Sequence, residues 1–283
     1  MFHYGLDTIL WTDDFSKDDL TRIDEVKRMK FDLIDIFISN PNSFPKDEVK
    51  EKLKINKLDI AITSCLTEQT NILNPDINIR KAGIKYLKEL IDLAEYLEAK
   101  LLSGMLYGAL GVFAGRPRTK EEWEWSVGCL KETALYAREK GVDLAVEPVA
   151  GNYTNFLNNA EDTVNYCKEI GTGNIKVHLD TFHMIREESD FVDAVKTCGK
   201  EFLGYIHVCE NNRDVVGSGL VPWRDFIIAL KEIEYNGFLT FELFNPEFNY
   251  GVGVFRKFKY SGEETVLKGL KYLKKLEKEL KNN

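Results

Sequence analysis

Hydrophobic and polar positions along this chain follow two rhythms. Short runs rich in Ile, Leu and Val are separated by longer, charge-laced stretches whose apolar residues recur every three or four positions. The short runs predict strands near Tyr4–Leu10, Asp32–Ile38, Leu58–Ser64, Lys100–Met105, Asp143–Glu147, Ile175–Asp180, Leu203–Val208 and Phe238–Leu243. Between them, Ile84, Leu87, Leu90, Ile91 and Ala94, and later Phe226, Ile227, Leu230 and Ile233, fall at helical spacing. Glu263–Leu280 predicts a Lys/Glu-rich amphipathic helix with a solvated outer face. Asn78 is expected to cap the third helix, and Gly171 and Gly199 to end the fifth and sixth.

Strands that alternate with helices imply parallel pairing, and eight such units predict an α/β fold closed into a (β/α)8 TIM barrel. An open doubly wound sheet is the structural rival. It would carry a Gly-rich phosphate fingerprint after its first strand, whereas that strand runs into WTDDF. No linker, low-complexity stretch or composition break interrupts residues 1–283, so one catalytic domain is expected.

Charge narrows the partners. The balance is 38 − 46 = −8 with no long basic stretch, which argues against nucleic acid, because phosphate binding is driven by clustered Lys and Arg. Cys65, Cys129, Cys167, Cys198 and Cys209 are scattered and odd in number, and read as reduced thiols. No apolar run approaches the ~20 residues of a membrane helix, and MFHYGLDTILWTDDF lacks the basic and apolar regions of a signal peptide. A cytoplasmic protein with no membrane partner is expected.

The chemistry is sought at the C-terminal ends of the strands, where a barrel of this kind builds its active site. The fifth strand ends in Glu147 and the sixth in Asp180, with His183 just beyond. The seventh delivers His207, followed by Arg213, and the eighth delivers Glu242. Any one of these could be a salt bridge or a solvated loop residue. Carboxylates set in runs such as LAVE and TFEL are harder to dismiss, because an ionised carboxylate among apolar neighbours costs several kcal/mol unless a cation pairs with it. Three carboxylates converging with one imidazole would repel each other without a metal. Oxygen-rich ligation with one His suits Mn²⁺, Mg²⁺ or Co²⁺ better than structural zinc.

HLDTFHM at 178–184, HVCENNR at 207–213 and FEL at 241–243 together resemble the ketose 3-epimerases, the D-tagatose, D-psicose (allulose) and L-ribulose 3-epimerase family of xylose-isomerase-like barrels. The resemblance covers nearly the whole chain, including CLTEQTNILNP at 65–75, GIKYLKELIDLA at 83–94, SGMLYGALG at 103–111 and PWRDFIIALKEIEYNG at 222–237. It implies that Glu147, Asp180, His207 and Glu242 hold one divalent metal ion, Mn²⁺ first and Co²⁺ or Mg²⁺ as alternatives. It implies too that Glu147 and Glu242 are the acid–base pair that inverts C3 of a free ketohexose or ketopentose through an enediolate. His183 and Arg213 match residues that hold the sugar oxygens, and Trp11 an aromatic wall. Related epimerases are often dimers or tetramers, which sets the same expectation here.

The chain departs from the family pattern in two places. After the fifth-strand glutamate the family carries a further carboxylate near O1, where this chain has Ala150, Gly151, Asn152 and Tyr153. A tyrosine common near the first strand is Asp7 here. Both changes fall where the ends of the sugar are read. His178 shares a face of its strand with Asp180 and is expected to be a packed interior histidine. Trp123 and Trp125 read as packing residues, Cys65 and Ser64 as packing or pocket lining, and Glu210 and Asn211 as loop-shaping.

Three other readings are weighed. An aldose–ketose isomerase, or an epimerase of a modified sugar, would use the same fold, but the extra metal ligands usual in the isomerase are not found. An apurinic-site endonuclease would need a multi-zinc cluster and a basic groove, against four histidines and a charge of −8. A non-catalytic sensor would need no proton-transfer pair.

Overall fold

In the computed structural model, which describes residues 2–244 and 259–281, all eight predicted strands form. They are β1 His3–Asp7, β2 Leu33–Phe37, β3 Asp59–Leu66, β4 Leu101–Ala109, β5 Asp143–Val146, β6 Ile175–Asp180, β7 Leu203–Val208 and β8 Phe238–Phe241. Every neighbouring pair is parallel, and β8 returns to β1, closing the barrel in sequence order. The helices are α1 Leu20–Arg28, α2 Lys46–Asn56, α3 Ile77–Leu97, α4 Lys120–Glu139, α5 Ala160–Ile170, α6 Thr181–Glu187, α7 Phe191–Phe202, α8 Trp223–Glu232 and α9 Gly262–Glu279. No helix among the described residues is long and apolar enough to cross a membrane.

Strand alternation sorts the side chains into two shells. Leu6, Ile34, Ile36, Ile62, Leu102, Leu144, Val146, Val177, Leu179, Ile206 and Leu239 belong to the large apolar core that the helices cover. The opposite parity carries Asp35, Thr63, Ser103, His178, Tyr205 and Thr240, all buried and polar. One step further along the same parity lie Asp7, Cys65, Glu147, Asp180, His207 and Glu242, towards the C-terminal ends of their strands. Register ties these layers together: Asp7 pairs with Asp35, Asp180 with His207, and His207 with Thr240.

Several boundaries differ from the sequence reading for local reasons. β1 stops at Asp7 because the Asp7 carboxylate accepts from Ile9 N at 2.8 Å and caps a 3-10 turn over Thr8–Leu10. The third helix is capped by Asp76 rather than Asn78, whose N–H donates to Asp76 at 2.8 Å. Gly171 ends α5 at φ 68, and Gly199, at φ 56, breaks the regular helix inside α7. β4 runs four residues past the predicted end, with a register shift between Cys65 and Leu66.

The C-terminal helix differs most. Ser261 and Glu264 close a capping box at its start, and Leu270, Leu273 and Leu276 join the core. The buried stripe also includes a charged residue, Glu277. Its carboxylate accepts from Phe2 N at 3.0 Å and from the Tyr4 hydroxyl, so α9 latches β1 from outside the barrel. Burial, then Glu277 itself, pushes the Tyr4 phenol up. Replacing Glu277 by Ala leaves two buried donors without an acceptor, which costs about 1–3 kcal/mol. Calorimetry is expected to show a Tm lowered by about 2–4 °C for each kcal/mol lost; an unchanged Tm would mean that the latch is not structural.

Candidate active site

The strand ends open into a cavity of about 180 Å³, far more than the ~10–15 Å³ that accommodates a single water. Ile9, Phe37, Met105 and Leu110 give it apolar walls, with Ser64 and Cys65 beside them. Glu147, His183, Tyr153, Arg213 and Glu242 supply its chemistry. Asp180 and His207 are buried behind this lining, in direct reach of Glu242 and His183. The fold thus gathers residues from β5, β6, β7 and β8 that lie far apart in sequence.

Each is aimed by a local device. Glu147 follows the last residue of β5, and its N–H still donates to Gly104 O at 3.1 Å, extending the ladder by one residue. Gly104 holds φ +113, and a Cβ there would collide with the Ser64 carbonyl, so no larger residue fits that approach. Asp180 ends β6 and caps α6, accepting from Phe182 N at 2.8 Å through Oδ1. The Cys209 thiol donates to the same oxygen at 3.0 Å, which leaves Oδ2 without a hydrogen bond. His207 turns Nε2 to the Asp35 carboxylate at 3.0 Å, leaving Nδ1 without a hydrogen bond and 3.5 Å from Glu242 Oε1.

These two atoms without a hydrogen bond, His207 Nδ1 and Asp180 Oδ2 (the latter 3.3 Å from Arg213), test the fit of a metal ion. Buried polar atoms are rarely left unpaired. Here both belong to good ligands, and both lie among carboxylate oxygens. Donor atoms of Asp180, His207 and Glu242 fall within 4.8 Å of one another, as do those of Glu147, Asp180 and His183. Three carboxylates and one imidazole suit a hard divalent cation. Asp180, His207 and Glu242 fit such an ion as one group, and Glu147 joins Asp180 and His183 in a second group beside it.

Electrostatics follow from crowding in a dry site. Burial, then the charges of Glu242 and Asp180, pushes Glu147 well above the ordinary carboxylate range. Burial pushes Asp180 up to about 6, although Arg213 opposes it. Burial also acts on Glu242, but Arg213 and His207 outweigh it and hold that carboxyl well below its usual range. Arg213 lies against Glu242, 3.3 Å from Asp180 Oδ2, and donates to Cys209 Sγ at 2.9 Å. Its guanidinium lies over the rings of Phe182 at 4.1 Å and Phe244 at 4.7 Å.

His183 is neutral: burial, then Arg213, lowers it to about 3. Its Nδ1 accepts from Ala150 N at 3.2 Å, so Nε2 carries the proton and is turned to Glu147 and Asp180, 3.8 Å from each. Tyr153 packs edge-on against that imidazole, with ring centroids 5.4 Å apart. His178 is wholly buried, meets Ser103 Oγ at 2.9 Å, and packs against the His207 ring.

Two of the sequence candidates are placed differently. Asp7 does not line the cavity, because its carboxylate is turned onto the backbone of Ile9; Oδ2 has no hydrogen bond and a donor atom lies near Asp35 and His207. Trp11 does not line it either: its Nε1 donates to Glu263 at 3.3 Å and Arg22 lies over the ring at 5.2 Å. Trp123 is packed on Phe156 and Tyr166, as expected of a packing residue. Glu210 and Asn211 shape the loop after β7, with Glu210 accepting from Gly217 N and Trp223 Nε1. Sequence reasoning overlooked Asp35. Its signal was the one that drew attention to Glu147 and Glu242, a carboxylate inside an apolar run, here LIDIF.

A family model described as xylose isomerase-like TIM barrel matches residues 23–276. The D-psicose 3-epimerase of Ruminiclostridium cellulolyticum is 32% identical over 247 residues, covering 85% of this chain and 83% of the relative. The L-ribulose 3-epimerase of Methylomonas sp. (strain DH-1) is 29% identical over 277 residues, 96% of each. Among solved structures, a D-allulose 3-epimerase from Methylomonas sp. in complex with D-allulose superposes with a TM-score of 0.91 at 28% identity, covering 97% of this chain and 96% of that one.

A carboxyl that holds its proton more tightly when folded favours the fold at low pH. It becomes a penalty as pH rises from the unfolded pKa through the folded one. Glu147 and Asp180 therefore burden the metal-free protein above about pH 6. Glu147→Gln is expected to raise the Tm of metal-free protein at pH 8, by about 2–4 °C per kcal/mol recovered; a fall would sink this account. Mn²⁺ binding must expel the proton of Asp180, so calorimetry should show affinity dropping as pH falls through about 6.

Proposed function

The chain belongs to the ketose 3-epimerases of the xylose isomerase-like TIM barrel family, isomerase-class enzymes, and we propose that it inverts C3 of a free ketohexose or ketopentose between Glu147 and Glu242. One observation carries the reading: both glutamates line a single cavity, and the two orphaned donors, Asp180 Oδ2 and His207 Nδ1, lie beside them.

Glu147, Asp180, His207 and Glu242 would hold one divalent cation, Mn²⁺ in the first place with Co²⁺ or Mg²⁺ as alternatives. When bound, such an ion supplies Lewis-acid polarisation of the ketose oxygens, which makes the C3 hydrogen more acidic. The residues do the rest. Glu242, kept ionised by Arg213, takes the proton from C3. The electron pair left on C3 delocalises into the C2 carbonyl. Glu147, which retains a proton more readily, returns one to the opposite face of C3. The pair ends with its protonation exchanged, which sets it to run the reverse reaction. Proton transfer of this kind typically contributes about 10²–10⁴-fold in rate.

His183 offers its Nε2–H to a sugar oxygen, and Arg213 fixes Glu242 while presenting its remaining N–H groups to the cavity. Tyr153 lines the pocket against the His183 ring, where it would meet one end of the sugar. Trp11 and Asp7 act through their neighbours, framing the first-strand side. A free rather than phosphorylated sugar is favoured by charge. Among the described lining residues the one cation is Arg213, already paired with acids, and Asp13 adds a further negative charge. The protein is proposed to work as a homodimer or homotetramer.

The test is turnover in D₂O by Mn²⁺-loaded protein against psicose, fructose, tagatose and ribulose, followed by NMR. Deuterium at C3 of a C3-epimeric ketose is expected, with activity removed by EDTA and lowered at least ~10²-fold by Glu242→Gln. Aldose formation, or turnover that survives Glu242→Gln, would overturn the proposal.

A further inference from the structure

Asp35 is wholly buried in the middle layer of the barrel and cannot reach the sugar. Its carboxylate nevertheless accepts three donors: Thr63 Oγ1 at 2.7 and 2.8 Å, the Tyr205 hydroxyl at 2.7 Å, and His207 Nε2 at 3.0 Å. The Tyr205 hydroxyl lies 2.8 Å from Thr240 Oγ1 as well, so strands β2, β3, β7 and β8 meet at this one group. A carboxylate in an apolar barrel is costly unless fully satisfied, and this one is. What it does for the strands, an apolar residue could do by packing. What it does for His207, an apolar residue could not.

An imidazole has two nitrogens, and the partner of one decides the role of the other. Because a carboxylate only accepts, Nε2 must carry the proton that Asp35 receives, and the lone pair of a neutral ring is then at Nδ1. Nδ1 is the atom left without a hydrogen bond, facing Glu242. Packing holds the same pose: the His178 ring stands 4.1 Å from that of His207 at 80°, and the Tyr205 ring 5.2 Å away at 64°. We propose that Asp35 is a positioning residue for the metal centre, fixing the tautomer and orientation of His207 so that Nδ1 is the ligand atom. The inference rests on the metal-holding role given to His207 above and names a residue that touches neither the ion nor the sugar.

Asp35→Asn tests it, because an amide can donate to Nε2 and thereby favour the tautomer protonated at Nδ1, which has no lone pair for a cation. Titration calorimetry with Mn²⁺ on metal-free, full-length protein is expected to show about 10–100-fold weaker binding for Asp35→Asn. Tyr205→Phe removes a neighbour of the same carboxylate but keeps its bond to His207, and should stay within about two- to threefold of wild type. In ¹⁵N-histidine NMR of the metal-free wild type, His207 Nε2 should be protonated and slow to exchange. Equal Mn²⁺ affinity in Asp35→Asn, or an equal loss in Tyr205→Phe, overturns the proposal while leaving the metal site standing. Should Asp35→Asn fail to fold, the NMR decides: an unprotonated Nε2 in the wild type overturns the proposal, and a protected proton supports it. A wild type that binds no Mn²⁺ overturns the metal-site reading itself, and this inference with it.

Discussion

Glu147, Asp180 and Glu242 crowd together at the mouth of a barrel where almost no water reaches them, and their mutual repulsion shapes everything around them. Three negative charges in so dry a place cannot persist by themselves. Arg213 neutralises one side of the cluster and is itself held by two aromatic rings and a thiol. Burial first, and then the charge of Glu242, leaves Glu147 and Asp180 above their ordinary range, Asp180 in spite of Arg213 beside it. A divalent cation would relieve it more completely, and two atoms that could meet it, Asp180 Oδ2 and His207 Nδ1, have no hydrogen bond.

The barrel makes this tension bearable by separating its shells. Outward-facing strand residues are apolar and carry the stability, packed under the helices. The inward parity carries a middle layer of polar groups, Asp35, Thr63, Ser103, His178, Tyr205 and Thr240, beneath the cavity, with an apolar cluster of Leu33, Ala61 and Ala145 on the same parity. That layer is rigid because its groups are mutually bonded across strands, and rigidity is what a metal centre needs from its surroundings. The same logic acts on Asp180, where a backbone N–H and a thiol engage one oxygen and leave the other facing Arg213 without a hydrogen bond.

Relatives that share 28–32% of their residues over most of their length bear ketose 3-epimerase names, and two positions the sequence singled out, Tyr153 and Asp7, take up different places in this structure. Tyr153 occupies the cavity wall against His183, and it does so with a ring edge rather than a charge. Asp7 is withdrawn from the cavity altogether, capping its own turn beside Asp35.

Much of this was legible in the sequence, because two local rules suffice for it. Apolar runs of strand length, spaced by helical periodicity, specify eight strand–helix units, and the end of each run marks the functional face. Glu147, Asp180, His207 and Glu242 were found that way, and all lie on the inward parity of their strands. Asn78 was taken for a cap that Asp76 provides, an error of two residues typical of helix ends. The buried side of Glu277 was invisible, since its partners Phe2 and Tyr4 stand at the other end of the chain. Asp35 and His207 are likewise 172 residues apart, and no pattern along the chain couples them. Local periodicity fixes which face a residue takes. Which oxygen is engaged, which nitrogen is free and which acid keeps its proton depend on neighbours that only closure of the barrel brings within reach.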